Sequence, residues 1–239
     1  MNLLKLPNEP INMPILFDFS LNISSLIYEP VTTLTDLLLA FSCFYFFFSI
    51  QKIEVNVIFI SHWQKFFLFL GVSTMLGAIA HSIFEREKST VYDSVWISMQ
   101  IFAGLSIFYA QAAAFRQLKN PKHRSLFLSL SLAQLLIFIP SIFYFFDFRV
   151  VALNSFIALV QLVIVFFPKN FENWVYKAYI SFGFFISFLT VYVHNQKLSF
   201  SKWFNHNDIS HLIMYLSILL IFRGIKYQCK SDNILQTNN

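Results

Sequence analysis

The chain has 239 residues, 57% of them hydrophobic and only 12% charged, with a formal net charge of +5. A water-soluble domain carries roughly 25% charged residues, and stretches such as 41–50 have no polar face to turn toward water, so a soluble enzyme or binding module is excluded. The basic residues lie in short loops between apolar spans rather than in a run with interleaved aromatics, which excludes nucleic acid as a partner and points to a membrane.

Residues 1–30 hold Pro7, Pro10, Pro14 and Pro30, which prevent one continuous helix. They lack a basic start followed by a long apolar core and a small-residue cleavage site, so they read as a retained segment. With Glu9, Asp18 and Glu29 on it, this segment is expected to cover one mouth of a bundle. The first apolar span is placed at 31–50, with Asp36 six residues inside it. The second, 63–84, carries Ser73, Gly77 and His81, the histidine one turn from its end. The third, 92–115, opens with Asp93 and continues through Ser98 and Gln100. The fourth and fifth, 125–145 and 150–167, meet across a very tight connection, and the fifth carries Asn154. The sixth, 177–194, carries Tyr192. The seventh, 209–225, follows His206, Asn207 and Asp208 and carries His211 one turn inside. Asn207 is a natural helix N-cap, and Asp208 suits the first turn of a helix dipole. Residues 226–239 form a polar tail, expected to be disordered.

The fold class is therefore all-α: a polytopic seven-transmembrane helix bundle, with a segment 1–30, a membrane domain 31–225 and a tail 226–239. Of the Lys and Arg residues, eleven fall on the face that receives the tail and six on the other. The richer face is cytoplasmic, which puts the N-terminus outside and the C-terminus inside. Trp63 and Trp174 are expected as anchors at the cytoplasmic ends, and Trp203 at the outer end of span seven. Cys43 and Cys229 lie too far apart along the bundle to pair. No internal repeat supports a two-fold transporter architecture. The expected location is the cytoplasmic membrane of a bacterium.

Ionisable side chains inside hydrocarbon are costly and mark sites. Asp36, His81 and His211 all sit one or two turns from the same face, so they are expected to converge in a chamber opening there. Imidazole and carboxylate together suit Zn²⁺. A catalytic zinc takes three protein ligands and a water, and a nearby carboxylate can accept a proton from that water. The metal candidates are His81, His211 and Asp36, with Asp208 and His206 as further ligands. Asp93 and Asp36 are the candidate catalytic acids. Ser73, Gly77, Ser98, Asn154, Tyr192 and Asn207 are expected to line the chamber. Gln111, Gln134 and Gln161 lie deeper and read as hydrogen-bonders between helices.

This pattern resembles the alkaline ceramidase / progestin–adipoQ receptor superfamily. The likeness rests on seven spans, an outside N-terminus, a histidine late in span two, an acid opening span three and a histidine early in span seven. It implies that His81 is a zinc ligand, His211 the second histidine of the family's His-x-x-x-His, and Asp93 its span-three acid. Two positions depart from the family: Asn207 stands where the first of those histidines would be, and Gly77 where a serine would be. Asp36, Asp208 or His206 would then supply the missing ligand. The resemblance implies a zinc-dependent hydrolase of lipid amide or ester bonds, with membrane lipid as its partner. Two other readings stand beside it: a non-enzymatic lipid- or ligand-binding protein, and an ion or proton transporter. A retinal photoreceptor is excluded, because span seven has no lysine before Lys226.

Overall fold

The structure is a computed structural model that describes residues 27–53, 58–84, 90–168, 174–201 and 204–237. Of the expected cap, residues 1–30, the first 26 lie outside the described residues, as does Trp203. Seven helices are present among those described: α1 (Pro30–Gln51), α2 (Ile58–Ile79), α3 (Thr90–Phe115), α4 (Pro121–Phe145), α5 (Arg149–Phe166), α6 (Trp174–Gln196) and α7 (His206–Thr237). All seven are long and apolar enough to cross a membrane.

Most helices extend beyond the apolar windows that announce them, because capping chemistry rather than hydropathy sets their ends. At α4, the Asn120 side chain accepts hydrogen bonds from the backbone N–H groups of Lys122 and His123 at 2.9 and 3.3 Å, and Pro121 fills the first helical position. The tail also departs from expectation. No proline or glycine follows Gly224, and α7 continues without a break to Thr237. The connection between α4 and α5 is a tight turn between two complete helices. Asp147 accepts from the Arg149 backbone N–H at 2.8 Å and from its Nε at 2.7 Å.

Helices α1, α2, α3, α5, α6 and α7 close into a ring in that order, with α4 outside against α3 and α5. Only 17% of the α4 apolar window is buried, against 44% for α1, so α4 is the most peripheral helix. On α1 the buried residues Thr32, Asp36, Leu39, Cys43, Phe46 and Ile50 recur at helical spacing. Leu34, Phe41, Tyr45 and Phe48 face outward. Large apolar residues on the outside are what a bilayer solvates.

The floor of the ring is aromatic. Trp63 is 0% exposed and lies against Phe66, Phe166 and Phe184. It is a core residue, not the interfacial anchor its sequence position suggests, because it points into the ring rather than toward lipid. Trp174 is exposed. Polar contacts tie the helices at mid-depth. Gln111 donates to Gln134 at 3.0 Å and to Gln161 at 2.8 Å, while Gln134 donates to the Asn154 side chain at 2.8 Å. These glutamines join α3, α4 and α5 as expected. Cys43 and Cys229 are both buried and are not joined in a disulfide.

Candidate functional site

A cavity of about 440 Å³ runs down the inside of the ring. Its polar end is built where α1, α3, α5 and α7 begin and α2 and α6 finish. Asp36, His81, His194, His206, Asn207 and His211 line it there. Its opposite end is apolar, with Phe66, Ala110, Leu162 and Ile221.

The polar end is assembled by helix-end chemistry. The last turn of α2, Ala80–Phe84, is π-helical. The carbonyls it leaves open accept from the backbone just before α1: Glu29 N–H reaches His81 O at 3.1 Å and Tyr28 N–H reaches Ser82 O at 3.2 Å. That strap sets the Glu29 carboxylate 2.8 Å from His81 Nδ1. Helix α7 starts with a reciprocal cap. Asn205 Oδ1 accepts from the Asn207 N–H at 2.7 Å, and Asp208 Oδ2 accepts from the Asn205 N–H at 2.7 Å. The N-cap is therefore Asn205, two residues before the expected Asn207.

Asp36 and His211 face each other with Oδ1 and Nε2 3.5 Å apart. The other His211 nitrogen, Nδ1, lies 3.0 Å from Thr35 Oγ1. Thr35 has one hydroxyl proton, and it is given to the Thr32 carbonyl at 3.0 Å. A carbonyl cannot donate, so both contacts are hydrogen bonds only if His211 Nδ1 carries the ring proton. Nε2 then presents a lone pair to Asp36 Oδ1, at a separation longer than a good N–H···O bond. Asp36 is 3% exposed, and its Oδ2 has no hydrogen-bond partner among the described residues. Two electron pairs pointing at one another in a buried place require a proton or a cation between them.

Gly77 makes this arrangement possible. A Cβ there would come within 2.9 Å of Asp36 Oδ2 and 3.2 Å of its Cγ. A serine at this position would displace the carboxylate from its place beside His211.

The remaining expected residues separate clearly. Ser73 lines the cavity, as do His206 and Asn207. Asp208 does not; Thr32 of α1 donates to its Oδ1 at 2.8 Å while its Oδ2 caps the start of α7, so both oxygens are engaged. Asp93 sits in the first turn of α3 and does not line the cavity. Ser98 is also outside the lining. Asn154 is turned toward α4, where it binds Gln134. Tyr192 is 59% exposed and faces outward, because helical spacing turns it away from the lining residues Thr190, Val191 and His194. Among the described residues, no group of three or more His, Cys, Asp or Glu side chains stands ready to hold an ion.

Sequence reasoning missed His194, Trp96 and the orienting roles of Glu29 and Thr35, whereas Gln100, read in span three as able to face inward, does line the cavity. His194 and His206 have ring centroids 5.1 Å apart and flank the mouth between α6 and α7. Its position at the end of span six, like those of His81 and His211, was the signal that could have found His194.

No curated protein and no solved structure matches the chain. The profile of a family of unknown function (DUF6962) matches residues 31–230, from the start of α1 to all but the last seven residues of α7. The chain belongs to that family of unknown function, and its own seven described helices are each long and apolar enough to cross a membrane.

Proposed function

We propose that the protein receives a single-chain amphiphile in its cavity, with the polar group held among Asp36, His81 and His211 and the chain in the apolar slot. The shape of the cavity carries this reading. Its volume of about 440 Å³ lies in the range of small-molecule sites, and its ionisable groups are confined to one end. The test is to fill the slot without touching the mouth. Ala158 is buried and lines the cavity. Ala158→Phe should abolish retention of co-purifying single-chain lipid in native mass spectrometry. Retention equal to wild type would overturn the reading. The basic asymmetry between the faces supports an outer location for the mouth. A C-terminal reporter fusion active only outside the cytoplasm would refute that orientation.

Hydrolysis of an amide or ester in the held amphiphile is the second reading, favoured by the Asp36–His211 pair. Two ligands of one tetrahedral zinc lie roughly 3.4 Å apart, close to the 3.5 Å between Asp36 Oδ1 and His211 Nε2. His81 is oriented through Nδ1 by Glu29, and His211 through Nδ1 by Thr35, as metal-ligating histidines commonly are. The donor types suit a zinc ion, with Asp36 and His211 already facing; His81, the third donor at this end of the cavity, would have to close on that pair to complete the set. Bound there, zinc would make water acidic enough to attack an acyl carbon near neutral pH. The cavity wall would hold the chain, and Glu29 and Thr35 would keep the rings aimed. Under this reading His81→Ala and His211→Ala each lose bound zinc, measured by elemental analysis, together with cleavage of long-chain amides and esters. Unchanged zinc content in both would leave only the binding reading.

A further inference from the structure

Below the mouth the cavity carries a second polar point. Gln100 lines it from α3, is 0% exposed, and neither Nε2 nor Oε1 has a hydrogen-bond partner among the described residues. The nearby hydroxyls are differently placed. Ser73 donates to Met99 O at 2.9 Å, Ser106 to Ala103 O at 2.7 Å, and Thr74 to Leu70 O at 3.1 Å. Each of these has committed its proton and can only accept, whereas Gln100 keeps a free donor and a free acceptor. An unpaired buried amide is costly in a membrane interior, where lipid offers nothing to bond with.

The register of α2 gives its depth. Asp36 lies against Gly77, and Ser73, four residues back on α2, bonds to Met99 beside Gln100. Four residues at about 1.5 Å each put Gln100 roughly 6 Å deeper than the Asp36–His211 pair. We infer that Gln100 is a specificity-determining residue that reads a hydroxyl on the chain of the bound amphiphile, about one helical turn below its head. A hydroxyl satisfies both amide atoms: its oxygen accepts from Nε2–H and its proton goes to Oε1. A plain alkyl chain satisfies neither, and an ester oxygen only the donor. The inference rests on the amphiphile reading and deepens it.

The experiment compares two probes in lipid nanodiscs: a twelve-carbon primary alcohol, and the same chain with a second hydroxyl four bonds from the first. Wild-type protein should bind the diol about tenfold more tightly, the scale of one to two net hydrogen bonds. Gln100→Leu should lose that preference, bind the plain alcohol at least as well, and melt no lower than wild type. Gln100→Met keeps the side-chain length without the amide and should behave alike. Equal binding of the two probes by wild type, or a preference that survives in both variants, overturns the role of Gln100 while leaving the cavity reading intact. Binding of neither probe overturns both. Failure of both variants to fold would make Gln100 a structural hydrogen-bonder and overturn the inference.

Discussion

Replacing Asp36 by asparagine should leave the metal-free protein as stable as wild type, while replacing it by leucine should not. The difference follows from the hydrogen-bond chain Thr32–Thr35–His211, which leaves His211 Nε2 as an acceptor facing position 36. Asparagine can supply an N–H to that acceptor in place of the proton that Asp36 and His211 share in metal-free wild type, so one bond worth about 1 kcal/mol net is kept. Leucine has the same branching but no donor, and a buried acceptor left alone costs about 1–3 kcal/mol. In a chain of this size each kcal/mol moves the midpoint by about 2–4 °C, so the variants should be separable by thermal melting in detergent with a chelator present. Zinc should then raise the midpoint of wild type, by about 2.7 kcal/mol of stability at a hundredfold excess over Kd, and should not raise that of Asp36→Asn. Two results would refute the reasoning. One is an Asp36→Asn protein as unstable as Asp36→Leu without metal. The other is a zinc shift that survives in Asp36→Asn.

Three further outcomes follow from the fold. Lys197 closes α6 with φ of 50°. The bonds Leu198 N–H to Val193 O and Lys197 N–H to His194 O form a Schellman end that favours glycine. Lys197→Gly should therefore stabilise by about 1 kcal/mol, read as a higher melting midpoint. Gln134→Leu removes the tie from α4 to Asn154 and Gln111, and should cost about 1 kcal/mol at the usual value of hydrogen bonds between membrane helices. Hydrogen exchange should show the loss in α4 before the other helices. The hydrogen bonds from Arg149 hold the Asp147 carboxyl below its ordinary value. Its contribution is thus present above the unfolded carboxylate pKa and fades as pH falls through the lower folded value. Asp147→Asn should match wild type in strong acid and differ, slightly because the pair is exposed, only at higher pH.

Hydropathy and spacing were enough to establish a seven-helix membrane fold, because lipid demands long apolar helices and leaves no alternative for so many of them. The same logic pointed to Asp36, His81 and His211 as the residues to watch, since ionisable groups in hydrocarbon are rare. The glutamines were legible too, as amides at mid-depth need partners on other helices. What the sequence did not decide is which way each residue turns. Asn154 and Tyr192 share the depth of the cavity, yet one faces α4 and the other faces lipid. Trp63 reads as an interfacial anchor but is buried in the core. Asp208 reads first as a helix-start residue and second as a ligand, and the tertiary structure has one of its oxygens capping α7 at the Asn205 N–H and the other accepting from Thr32 of α1. Helix rotation decides each of these cases, and packing between helices sets it. Uniformly apolar spans carry almost no facial pattern, so rotation emerges only when close contacts such as Gly77 against Asp36 and Gly183 against Ser217 are made. The tautomer of His211 and the unpaired amide of Gln100 lie one step further on. They depend on which atoms of four different helices finally meet.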